Sequence, residues 1–135
     1  NGPMAKPGKY KVILTIDGTS FTENFEIISD PRIKDVSPEV YEEQENILLE
    51  IRDFMTDVRL FENKVSKMLE KKPKNKKYIS IDRELNTKEG TYMQPMLIDQ
   101  IRYLQSMLSR ADQKPGNDSF NRLKELKLKF LNLIN

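Results

Sequence analysis

The chain has 135 residues, a net charge of +2, no cysteine and no histidine. That is about one domain of polypeptide, with disulfide, cysteine-nucleophile and histidine-based acid–base or metal chemistry excluded. Charged residues make up 33% and aromatics 8%, with no Trp, which is the profile of a helix-rich chain with a well-solvated surface.

The opening stretch, Asn1 to Gly8, has no apolar targeting core and does not begin with Met, so the chain reads as a fragment or a processed product. No apolar run reaches the ~20 residues that span a bilayer. A net charge this small gives no whole-molecule field to draw in nucleic acid. Neither nucleic acid nor a membrane is therefore expected as a partner.

From Lys9 to Ser29 the pattern has a period of two. Tyr10, Val12, Leu14 and Ile16 alternate with Lys11 and Thr15. Asp17-Gly18 supplies a turn, and Phe21, Phe25 and Ile27 alternate with Thr22, Asn24 and Glu26 on the way back. This predicts a β-hairpin with one apolar face. A lone hairpin is marginally stable, so that face must lie on the helices or pair with strands outside this sequence. Pro7-Gly8 reads as a turn leading in from an earlier strand.

Asp30-Pro31-Arg32 ends the hairpin, and Ser37-Pro38-Glu39 opens a helix with a capping residue, a proline at the first helical position and early acids. Ile47, Ile51, Phe54, Val58, Phe61, Val65 and Met68 then recur at alternating steps of four and three. They draw one seam along a long helix from Ser37 to Lys72, which Pro73 stops. Tyr78, Ile81 and Leu85 predict a short helix over 78–86. Leu97, Ile101, Leu104, Leu108 and Ala111 predict a third helix, starting near Pro95. Leu123, Leu126, Phe130 and Leu133 predict a fourth, capped by Asn117 or Asp118. The tight connector Lys114-Pro115-Gly116-Asn117 makes the last two helices antiparallel neighbours.

Few residues are left for chemistry. The lysines from Lys64 to Lys77, with Lys71, Lys72, Lys74, Lys76 and Lys77 at their centre, are the one local charge concentration. They read as a polyanion patch or, more plainly, as a helix C-terminus and solvated loop; with no arginine and only Tyr78 to stack, base recognition is poorly supplied. Glu39, Glu42, Glu43, Glu45 and Glu50 would suit acid–base work or calcium, but complementing the helix dipole explains them, and neither they nor Asp17-Gly18 has the spacing of a calcium loop. Met93, Met96 and Met107 with Tyr92 and Tyr103 offer a pliable binding surface, or filling where short helices meet. Arg102, Arg110 and Asp112 are placed to form buried pairs at the end of the third helix. No glycine-rich phosphate loop, serine-nucleophile motif or zinc spacing occurs.

One resemblance is visible. Pro7-Gly8-x-Tyr10-x-Val12-x-Leu14-Thr15-x-Asp17-Gly18, Asp30-Pro31-Arg32, Gln94-Pro95, Asp99-Gln100-Ile101-x-Tyr103-Leu104 and Ser109-Arg110-Ala111-Asp112-Gln113-x-Pro115 follow one another in order. Together they resemble the C-terminal region of large secreted bacterial proteins known as glycosyl hydrolases with BNR or sortilin-like β-propeller repeats. The resemblance implies that the hairpin ends a small β-sandwich, that the helices follow it as an accessory region, and that the protein lies outside the cytoplasm or in the periplasm. The chain has no Asp-box (Ser-x-Asp-x-Gly-x-Thr-Trp) and no Trp to complete one, so a propeller and any sugar site on it fall outside this sequence.

The expectation is an α+β chain, mainly α. Residues 1–32 form a hairpin, the remnant of a sandwich-like domain, and residues 33–135 form an antiparallel bundle of three to four helices with one long helix. Its expected role is a non-catalytic accessory or interaction module with no cofactor, metal or catalytic residues. Its partners would be a β-propeller or β-sandwich of the same protein, or a second copy. Leu48, Leu49, Met55, Leu60 and Leu69 lie beside the long seam and form an interaction surface if the shorter helices leave them uncovered. The alternatives are part of a glycan-acting hydrolase, which needs two carboxylates facing across a cleft, and polyanion binding through the lysines.

Overall fold

The structure is a computed structural model and describes residues 2–34, 36–90 and 92–135. Strands β1 (Gly8–Ile16) and β2 (Thr19–Ile27) form an antiparallel pair, followed by helices α1 (Pro38–Lys71), α2 (Lys76–Leu85), α3 (Leu97–Leu108) and α4 (Asn117–Ile134). This is the expected α+β architecture, mainly α, with four helices.

The hairpin turn is the two-residue loop Asp17-Gly18. Both residues have positive φ, 48° and 82°, which matches the twist of the flanking strands. Ile16 stands opposite Thr19, Leu14 opposite Phe21 and Tyr10 opposite Phe25. The Tyr10 and Phe25 rings stack at 5.7 Å, and on the other face Thr15 and Ser20 share a hydrogen bond of 2.9 Å. Cross-strand pairs of this kind pin the register.

Helix α1 is the spine. Ser37 precedes it in extended conformation, Pro38 occupies the first turn, and the Lys72 amide closes the last turn on the Met68 carbonyl at 2.8 Å. Ile47, Ile51, Phe54, Val58 and Val65 are buried, as the 3.5-residue seam requires. Helix α2 starts two residues earlier than the apolar spacing alone suggests, because the Asn75 side chain accepts from the Tyr78 amide and caps it. Ile81 and Leu85 close over the seam. Helix α3 buries Leu97, Ile98, Ile101, Leu104 and Leu108 and ends there; Ala111, expected to extend its seam, lies three residues beyond the helix and is exposed.

Helix α4 buries Leu123 and Leu126. Its cap position is Gly116 rather than Asn117 or Asp118, since the chain turns helical at Asn117 directly after the extended Gly116. Helix α4 runs alongside α1 in the same sense. Lys127 reaches Glu50, and Phe130 sits edge-on against both Phe54 and Phe61, at 5.7 and 5.6 Å between ring centres. No described helix is long and apolar enough to cross a membrane.

Candidate functional site

The hairpin does not lie on the helices. Its apolar face carries Tyr10, Val12, Leu14 and Ile16 from β1 and Phe21 and Phe25 from β2, alternating with Lys9, Lys11, Thr22 and Asn24 on the reverse. Leu14 and Phe21, directly opposite one another, are 57% and 58% exposed, where a covered sheet face would leave them near zero. Glu23 and Thr19 stand among these apolar side chains and Ile13 lies on the reverse, so the face is mainly rather than wholly apolar, and it is uncovered in space. Within the described residues β1 and β2 pair only with each other, which leaves an unpaired backbone edge on each side.

What the helices do hold is the base of the hairpin. The Lys6 ammonium lies 3.6 Å from Glu42 and 3.5 Å from Glu45 on the first turns of α1, and the Lys6 amide donates to Glu45 at 3.3 Å. The Tyr10 hydroxyl donates to the Lys6 carbonyl at 2.6 Å, joining β1 to the same point. Ile27, Asp30, Tyr41, Leu48 and Asp112 enclose a cleft of about 230 Å³ at this joint. Burial pushes the Tyr41 phenol up, and the Asp112 carboxylate it faces at 3.4 Å adds to the effect. Two of the acids near the start of α1 therefore serve locally, as partners of Lys6.

The other residues singled out in the sequence fall in separate places. Of the expected interaction surface, Leu48 is buried, Leu49 is half-buried, and Met55 and Leu69 pack against the core; Leu60 alone is open, at 56%. The five do not make one patch, because α2, α3 and α4 between them cover more of α1 than its seam. Arg102 is exposed and pairs with Asp99 at 3.2 Å, and Arg110 is also exposed, so no buried pair with Asp112 locks α3. The end of α3 is locked instead by Gln44, which sequence reasoning missed. Its amide nitrogen donates to the carbonyls of Leu108 and Ala111, both at 2.7 Å.

Tyr92, Met93, Tyr103 and Met107 are exposed rather than packed where helices meet, Tyr92 at 94%. Tyr103 and Met107 line an open groove of about 890 Å³ between α3 and the start of α4, with Asp99, Asp118 and Arg122 at its margin. A second groove, between α1 and α4, is lined by Leu60, Leu131 and Ile134 with Glu50, Asp53 and Asp57. Asp99 is neutralised by Arg102, Glu50 by Lys127 and Asp53 by Arg52. Among the described residues no group of three or more acids is placed to hold a metal ion. The lysines from Lys64 to Lys77 are all exposed around the corner between α1 and α2.

No protein-family model, curated protein or solved structure matches the chain.

Proposed function

We propose that the chain is a non-catalytic accessory module of a larger protein, in which the hairpin supplies two strands of a small β-sandwich and the helices brace them from one end. The observation that carries this reading is the apolar hairpin face: six large side chains on one side of a two-stranded ribbon, none of them covered by the bundle. An antiparallel ribbon with one mainly apolar face is half of what a sandwich core needs, and a second sheet stacked on it would bury that side. The Lys6 latch supports the same reading, since it fixes the direction in which the strands leave the helices.

The size of the face favours a tethered occupant over a free one. Five half-exposed side chains and the less exposed Tyr10 offer on the order of 500 Å², below the roughly 800 Å² per partner of a stable free interface. A covering sheet on the same polypeptide is held at high effective concentration and needs no such area. The resemblance to the C-terminal region of β-propeller glycosyl hydrolases agrees with this and is the ground for an extracellular or periplasmic location. On the same resemblance, hydrolysis belongs to a propeller outside this sequence.

The test is a double substitution, Leu14→Thr with Phe21→Thr. In the isolated chain the helical melting transition is expected to stay where it is, and sedimentation is expected to show a monomer. In the longer parent protein the same pair is expected to lower stability. A bundle that unfolds with the substitutions, or a parent indifferent to them, contradicts the proposal.

A further inference from the structure

We infer that the corner between α1 and α2 is a binding surface for a linear acidic polysaccharide carrying one carboxylate per sugar. Lys64, Lys67, Lys71, Lys72, Lys74, Lys76 and Lys77 stand there against the single acid Glu70. The corner thus carries six net positive charges, which leaves four net negative charges on the rest of a +2 chain. Among the described residues none of the seven is in an ion pair, whereas nine of the other sixteen lysines and arginines are.

Helix electrostatics explain only part of the cluster. Lys71 and Lys72 sit in the last turn and at the cap of α1, where cations are favoured, and Lys67 and Lys64 stand one and two turns further back. Lys74, Lys76 and Lys77 sit at the N-terminal end of α2, where cations are disfavoured, and the first turn of α2 holds no acid to offset them. Like charges are gathered at the wrong pole of a helix without counter-charge, an arrangement that a bound polyanion relieves.

The layout selects among polyanions. Lys64, Lys67 and Lys71 follow one another at steps of three and four, a stripe along one flank of α1 with rises of roughly 4.5 and 6 Å. A row of single point charges at the scale of one sugar residue suits a chain with one carboxylate per unit. No arginine lies between residues 64 and 77, so recognition is by point charges rather than planar bidentate grips, and Tyr78 is half-buried and offers no face for the base stacking that single-stranded nucleic acid uses. The apolar residues within the stripe, Val65, Met68 and Leu69, are buried or half-buried, so none is free to insert into a lipid surface.

The experiment measures binding of polygalacturonate oligosaccharides to the full chain by calorimetry at low salt. The comparators are single-stranded DNA and phosphatidylserine vesicles at equal anionic charge. Expected is binding to polygalacturonate that weakens as salt rises and falls at least tenfold in Lys67→Gln/Lys71→Gln/Lys76→Gln. Lys9→Gln/Lys11→Gln/Lys34→Gln removes the same charge elsewhere and is expected to leave binding within twofold. No binding, an equal loss in both triple variants, or tighter binding to DNA or vesicles than to polygalacturonate overturns the inference.

Discussion

The side-chain amide nitrogen of Gln44, on α1, lies 2.7 Å from the carbonyl oxygen of Leu108, the last residue of α3. The same nitrogen reaches the Ala111 carbonyl at 2.7 Å, so one buried side chain satisfies two acceptors where α3 has run out of its own donors. It is the one buried polar side chain among the described residues, and it ties the spine to the end of α3 next to the hairpin joint.

Replacing Gln44 with Met keeps the volume and removes both donors. The buried Leu108 carbonyl left without its partner is expected to lower stability by about 1–3 kcal/mol. Urea unfolding checks this, with a lower midpoint at unchanged slope as the expected result.

Ile51 and Leu60 are both large apolar residues of α1, but Ile51 is fully buried and Leu60 is open. Ile51→Ala is expected to cost about 2–5 kcal/mol through lost transfer energy and a cavity. Leu60→Ala is expected to stay within ~0.5 kcal/mol of the parent chain. Thermal melts of the two variants side by side decide whether the 3.5-residue seam carries the bundle.

Asp82 links the last turn of α2 to the loop beyond it. Burial works to raise its carboxyl, but the hydrogen bonds from Lys88 and Asn86, and the Lys88 and Arg83 charges, outweigh it and hold the group below its ordinary value of 3.8. A folded-state value below the unfolded one means stability that is present above the ordinary carboxylate range and lost as pH falls through the folded value. Asp82→Asn is expected to reduce stability at neutral pH and to flatten its decline on acidification. Denaturant midpoints followed from pH 7 downward give the readout.

Lys76 and Lys77 face the positive pole of α2. Lys76→Glu and Lys77→Glu are each expected to stabilise the chain by ~0.3–1 kcal/mol at low salt, with the gain shrinking as salt is added. A loss of stability from either change would show that the lysines make structural contacts after all. The melting temperature at two salt concentrations separates these outcomes.

The helices were readable because their apolar residues repeat at a spacing that only one regular backbone places on one side, and Pro38 and Pro73 mark where α1 starts and stops. The period of two likewise revealed which face of the hairpin is apolar, but alternation does not encode what covers that face. Gln44 had a faint signal, since it extends the Ile47 seam backward by one three-residue step, where a polar residue is out of pattern. The exposure of Met93 and Tyr103 had none, because residue type says how a side chain packs and not whether a neighbour reaches it. Leu48 and Leu60 show the same gap: both flank the seam, and only the later helices decide that one is covered and the other left open.

The most direct measurement is amide hydrogen exchange over Gly8–Ile27, in the isolated chain and in the longer parent protein that we propose for it. Expected is fast exchange in the isolated chain, well ahead of Ile47–Val58 on α1, and strong protection of the same strands in the parent. Strands already as slow as α1 in the isolated chain, or equally fast in the parent, would mean that no β layer covers the hairpin.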